Sequence, residues 1–237
     1  MKIYAILILP IICVACNQHL TIGEKYLGTP YVRDPLGEGF VPDTDPLIRF
    51  DAFDCTTFVE TVLANDNLDE LTKIRYKDGK IGFLNRNHFV ATEWLPNNAD
   101  IVENVSAKYG KTAIRKVTIN RSAWLKNVHN IVSNTPNKTV NLEYIPYENL
   151  DQIQNNEPLV VLFVLTKSDK MYKKTGTDLA VYHMGFLLPD GTFRHASSSG
   201  GGVVDIKFDE YVAKRKKMPN NIGVMLLEIK RNDERQR

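Results

Sequence analysis

The stretch Pro158–Leu165 is an unbroken apolar run, and it constrains the fold of this chain more than any other segment. A run of that length with no polar break reads as a strand buried on both faces. The neighbouring sequence supplies partners for it. Leu179–Leu188 and Thr192–Ser197 read as strands joined at Pro189-Asp190-Gly191, and Val203–Ile206 adds another. A helix over Phe208–Lys217 follows, and Asn221–Ile229 closes the sheet.

The first half reads differently. Thr21–Leu27 suits a short helix, and residues 28–51 form a Pro/Gly/Asp-rich irregular passage. From Cys55, apolar residues fall at Phe58, Val59, Val62 and Leu63, one face at helical spacing. Leu68, Leu71 and Ile74 mark another short helix, and residues 75–83 read as a hairpin turning at Asp78-Gly79. Between 99 and 155 the expected order is a strand near Ala113–Ile119, a helix from Ser122, a strand near Val140–Ile145 and a helix from Tyr147. Helices first and strands last argue an α+β fold in one domain.

A net charge of +2 is too small to imply nucleic acid or an acidic partner. The run Lys214–Lys217 reads as a solvated helix face. At the start of the chain, Lys2 precedes a short apolar stretch, Ile3–Ile12, and then Cys13-Val14-Ala15-Cys16. That pattern is too short for a spanning helix and resembles a bacterial lipoprotein signal. It implies removal of residues 1–15, acylation of Cys16, a tether over 16–25 and a domain over 26–237. The expectation is export to the periplasm on a lipid anchor. Of three cysteines, Cys13 then leaves with the signal and Cys16 is acylated. Cys55 remains as a lone thiol with no disulfide partner.

Asp54 precedes Cys55 where an N-cap belongs. A helix start carries partial positive charge and unpaired N–H groups, so it favours thiolate over thiol. A nucleophilic thiol needs a base within reach and a third group to orient that base. Of the histidines, His19 falls in the tether and His129 in a polar, surface-type stretch, which leaves His88, His183 and His195. Alternation puts His183, Gly185 and Leu187 on one face, with Tyr182, Met184, Phe186 and Leu188 on the other. A three-residue Pro189-Asp190-Gly191 connection pairs Leu188 with Thr192. Opposed residue numbers then sum to a constant, and His183 and His195 become diagonal neighbours on one side of the sheet.

Three segments occur in order: Tyr26-Leu27-Gly28-Thr29-Pro30-Tyr31, Phe53-Asp54-Cys55-Thr56-Thr57-Phe58-Val59, and His183-Met184-Gly185-Phe186 with Phe193-Arg194-His195-Ala196-Ser197. This set resembles the NlpC-type, papain-like cysteine hydrolases of bacterial cell walls. Ile74-Arg75-Tyr76 and Asn85-Arg86-Asn87-His88-Phe89, with the motif around Cys55, resemble that family's N-acetylmuramoyl-L-alanine amidase-like branch. The resemblance implies a papain-like fold in which the Cys55 helix packs on a largely antiparallel sheet, with extra elements between Cys55 and His183 walling a cleft. It also implies Cys55 as nucleophile, His183 as base, His195 as the orienting residue, and Tyr31 with Asp54 beside the sulfur. Arg33-Asp34 stands where many relatives have Gly.

The implied substrate is the amide between N-acetylmuramic acid and L-Ala, in peptidoglycan or its fragments. Cleavage inside the stem peptide after D-Glu, and a non-catalytic cell-wall-binding lipoprotein, are the alternatives. Arg75, Arg86, Asn87, His88 and Trp94 are candidates for a substrate wall, or else parts of the fold. No cofactor is expected. Cys55, His183 and His195 lack the local ligand pairs common in structural zinc sites.

Overall fold

The computed structural model describes residues 22–230. The signal expected at 1–15 and the acylation site expected at Cys16 lie outside the described residues, as does His19. The strands are β1 (Val102–Asn104), β2 (Ala113–Ile119), β3 (Lys138–Pro146), β4 (Leu159–Leu165), β5 (Val181–Leu187), β6 (Thr192–Ser197), β7 (Gly202–Lys207) and β8 (Asn221–Ile229). The helices are α1 (Cys55–Leu63), α2 (Leu68–Arg75), the single turns α3 (Leu95–Asn97) and α4 (Ser106–Tyr109), α5 (Arg121–His129), α6 (Asp169–Thr175) and α7 (Phe208–Lys216).

The strands form an antiparallel sheet in the order β2-β3-β8-β4-β5-β6-β7, with β1 added along β8. The apolar run is β4, paired on both edges and buried on both faces. Val160, Leu162 and Val164 point into one core, Leu159, Val161 and Phe163 into the other, as the two-residue period of a strand requires. The first core is shared with α1, whose Phe58 and Val59 are buried against Met184 and Phe186. Burial of a side chain such as Phe58 contributes about 1.5–3 kcal/mol. The second core is covered by Phe208 and Tyr211 of α7. The result is the expected α+β, papain-like arrangement of a cysteine-bearing helix on an antiparallel sheet.

Three expectations are corrected. Asn221–Ile229 does not close the sheet at an edge. It runs between β3 and β4, because Val224, Met225, Leu226 and Leu227 are apolar on both faces and all buried. The expected hairpin over 75–83 is instead a 3-10 turn, Lys77–Gly79, then a second, Phe83–Asn85, with only an isolated bridge between Tyr76 and Arg86. Tertiary anchoring decides this: the Tyr76 hydroxyl is buried against Gly37 O and Glu38 Oε1, both at 3.1 Å. The helix expected from Tyr147 is a single 3-10 turn, Tyr147–Asn149. α6 has no counterpart among the expected elements. It is capped by the Ser168 hydroxyl, which accepts from the Met171 N–H, and it stops at Gly176 in the left-handed region (φ 78°). Among the described residues, no helix is long and apolar enough to cross a membrane.

Candidate active site

Asp54 caps α1 with a reciprocal box. Its carboxylate accepts from the Thr57 N–H at 2.8 Å, and the Thr57 hydroxyl accepts from the Asp54 N–H at 3.0 Å. Such a cap is worth roughly 1 kcal/mol, and it fixes Cys55 as the first residue of the helix. Tyr31 is brought alongside by a parallel bridge to Phe53, with the Val32 N–H donating to Phe53 O and the Phe53 N–H to Pro30 O, both at 3.0 Å. The Asp34 N–H donates to the other Asp54 oxygen at 3.2 Å.

The hairpin supplies the histidines in the expected register. Phe186 pairs with Arg194 and Leu187 with Phe193, and the Leu188 N–H donates to Thr192 O at 2.8 Å across the Pro189-Asp190-Gly191 turn. Gly185 lets the strands approach at this point: a Cβ there would meet His195 Cβ, Arg194 O and the Phe193 ring, each at 2.7 Å. Past Phe186 the β5–β6 ladder stops, and side chains bridge the gap. His183 Nε2 and His195 Nδ1 are 2.8 Å apart, with the rings edge to face. His195 is buried, and His183 is half-buried.

Strand alternation fails at one position. Phe163 faces His183 while Val164 faces Val181, so a bulge leaves Tyr182 as the extra residue. Tyr182 therefore joins the side of His183 rather than that of Met184, with its ring 6.1 Å from the imidazole. Cys55, His183, Tyr31, Tyr182 and Tyr211 then line one cleft of about 170 Å³. A second cavity, of about 140 Å³, shares His183 and Tyr182 with the first and is lined also by Thr56, His88, Phe89 and Ile119. The segment between Cys55 and His183 thus supplies a wall.

The environment of Cys55 works against the thiolate that the helix start favours. Burial pushes the Cys55 thiol up to about 12, and the Asp54 carboxylate adds to that. Hydrogen bonds from the Met184 and Thr56 backbone and the Thr56 hydroxyl only partly oppose it. Burial holds His183 well below the usual imidazole range, with His195 and Arg215 acting the same way. Burial and Arg215 bring His195 down to about 4, against the opposing charge of Asp205. All three shifts favour the neutral forms of the imidazoles and the thiol. Since Nε2 of His183 is engaged with His195, Nδ1 is its free nitrogen. The tautomer that donates from Nε2 leaves Nδ1 as a lone-pair base.

The suggested substrate wall is mostly structural. Arg75 is buried, donating to Glu60 Oε2 at 2.6 Å and Leu36 O at 3.1 Å. Trp94, fully buried, donates to Glu60 Oε1 at 3.1 Å. Arg86 is buried against Glu38 and Asp43, both at 2.7 Å. These three are buried, and the bonds they make hold α1, α2 and the 34–43 loop together. Asn87 donates to Ile74 O at 3.0 Å. His88 lines the second cavity, its Nε2 2.8 Å from Phe83 O. Conversely, Tyr182, Tyr211 and Arg215 line the cleft without having been singled out in the sequence. Arg215 lies within the basic run Lys214–Lys217, whose three lysines are exposed.

A protein from Legionella pneumophila superposes with a TM-score of 0.79 at 25% identity, over 88% of this chain and 86% of that one. An N-acetylmuramoyl-L-alanine amidase from Bacteroides uniformis superposes with a TM-score of 0.69 at 25% identity, over 90% and 97%. A putative xylanase from Bacteroides fragilis reaches 0.67 at 25% identity, over 89% and 100%. Comparison with curated proteins gives no match. The model of the AmiA-like, N-acetylmuramoyl-L-alanine amidase-like family matches residues 21–220, and the chain belongs to that family.

Proposed function

We propose that this chain hydrolyses the amide between the lactyl group of N-acetylmuramic acid and L-Ala, with Cys55 as nucleophile, His183 as base and His195 as the group that orients His183. The observation that carries this reading is the shared cleft. A thiol at the head of a capped helix and an imidazole held at 2.8 Å by a second, buried imidazole line the same space. The kinship with an amidase-like family supplies the substrate class, and the order of the motifs supports an NlpC-type site.

In this reading Nδ1 of His183 takes the thiol proton as the sulfur attacks the lactyl carbonyl carbon. The proton moves during attack rather than beforehand, because the resting pair is neutral. The Cys55 backbone N–H, at the start of α1, and the Tyr31 hydroxyl face the developing oxyanion. His183 then returns the proton to the departing amine of L-Ala as the C–N bond breaks, leaving a thioester. Water, deprotonated by the same nitrogen, hydrolyses the thioester and regenerates the thiol. His195 accepts from Nε2 of His183 throughout and so fixes Nδ1 as the nitrogen that acts as base.

The lipoprotein-type start of the sequence supports export and anchoring at Cys16, followed by a tether over 16–25 and the amidase domain from Tyr26 onward. Metabolic labelling with palmitate tests this: the wild-type chain takes up label and Cys16→Ser does not. For the reaction, mass spectrometry of digested muropeptides is the test. Free peptide beginning L-Ala-D-Glu supports the amidase. A product retaining the disaccharide on a dipeptide means cleavage after D-Glu and defeats the reading.

A further inference from the structure

One charged side chain in the cleft has no part in the chemistry above. In the basic run of α7, Lys214, Lys216 and Lys217 face solvent, whereas Arg215 turns inward and is half-buried. Its guanidinium carbon lies 4.6 Å from the Tyr211 ring centroid and 5.5 Å from that of Tyr182. Two aromatic rings thus pack against the planar group and hold it in the cleft. Nη1 reaches only the Met218 sulfur, at 3.2 Å, a weak acceptor. The Tyr182 hydroxyl is buried with no hydrogen-bond partner among the described residues, and the Tyr211 hydroxyl sits within hydrogen-bonding influence of the Arg215 guanidinium itself.

The rest of the lining sharpens the point. Tyr31, Cys55, His183, Ala196 and the serines 197–199 share the cleft with these three residues. None of them carries a permanent charge, so Arg215 sets its sign. The ion pairs among the described residues give it no carboxylate. A half-buried guanidinium flanked by two phenols and given no carboxylate by the fold is suited to bind an anion. Its fork matches a carboxylate bidentately.

We propose that Arg215, steadied by Tyr182 and Tyr211, is a specificity-determining residue that binds a carboxylate of the peptide stem on the leaving-group side of the scissile amide. The inference rests on the amidase reading and adds a polarity to it. In such a substrate the acyl half has its carboxyl consumed in the amide, whereas the leaving half carries free carboxylates. Arg215 therefore marks where the departing peptide lies.

The test compares two substrates, N-acetylmuramoyl-L-alanyl-D-glutamate and the same compound with both glutamate carboxylates amidated. Wild-type kcat/KM for the acid exceeds that for the diamide by about tenfold or more, the ratio expected for a charge-assisted hydrogen-bonded pair. In Arg215→Gln that ratio falls to near one, mostly through KM for the acid. Arg215→Lys, which keeps the charge and loses the fork, lies between. A wild-type enzyme indifferent to amidation overturns the inference whatever the variants do. So does an Arg215→Gln variant that slows both substrates equally, which marks a purely structural stack. Both of those results leave the amidase reading intact. Failure of the wild type to release peptide from either compound defeats that reading and this inference together.

Discussion

The Glu60–Arg75 pair decides between two roles for Arg75, and its removal has a calculable cost. Nη1 of Arg75 lies 2.6 Å from Glu60 Oε2, with the two side chains 4% and 3% exposed. The other Glu60 oxygen accepts from Trp94 at 3.1 Å. Glu60 sits just over one turn beyond Cys55, so the pair sets the roll of α1 against α2. Glu60→Gln keeps an acceptor for Trp94 but leaves the guanidinium buried without a counter-charge. Breaking a buried pair in this way costs about 3–5 kcal/mol. Arg75→Met costs a similar amount by stranding the carboxylate. The double variant removes both charges and loses chiefly the bond to Leu36 O, so it recovers to within about 1–2 kcal/mol of wild type. Urea unfolding of the four proteins at pH 7 reads the cycle directly. Additive losses refute the argument, as does a double variant that regains stability and fails to hydrolyse substrate, since that would place Arg75 in contact with the ligand.

Three further outcomes follow from the site. Because burial holds His183 well below 6.5, it stays a neutral base as pH falls through 6.5. The acid limb of kcat/KM therefore lies clearly below that value, and a limb at or above 6.5 contradicts the neutral-pair description. Asp54→Asn keeps a good cap and removes the charge that helps raise the thiol. Stability should change by only about 0.5 kcal/mol while the pH profile of Cys55 alkylation by iodoacetamide moves to lower pH; an unchanged profile removes Asp54 from the account. Gly185→Ala puts a methyl 2.7 Å from His195 Cβ and Arg194 O. It should cost about 1–3 kcal/mol by overpacking and lower kcat by displacing His195, and full activity would show that the imidazole contact is dispensable.

What the sequence disclosed and what it concealed divide along physical lines. The contact between His183 and His195 was legible because a Pro-Asp-Gly connection fixes register through local turn geometry, and period-two alternation does the rest. The same alternation misplaced Tyr182, since a bulge inserts a residue that no local pattern announces. The helix from Cys55 was legible from its cap and apolar spacing. The state of its thiol was not, because burial and the nearby Asp54 charge arise only on packing. Arg75 and Arg86 find acidic partners 15 and 48 residues away, so the sequence left them open between a substrate wall and the fold. Arg215 was hidden among residues of like charge, where only the rotation of α7 distinguishes one solvated lysine from a cleft arginine.

The central claim is that Cys55 attacks the lactyl carbonyl under the direction of His183 and His195. Acid quenching during turnover of a muropeptide, followed by peptide mapping of Cys55 by mass spectrometry, tests it most directly. The account predicts a thioester-linked N-acetylmuramoyl adduct on the peptide containing Cys55, and neither adduct nor turnover in Cys55→Ala. An adduct that carries stem-peptide residues, or turnover that persists in Cys55→Ala, contradicts it.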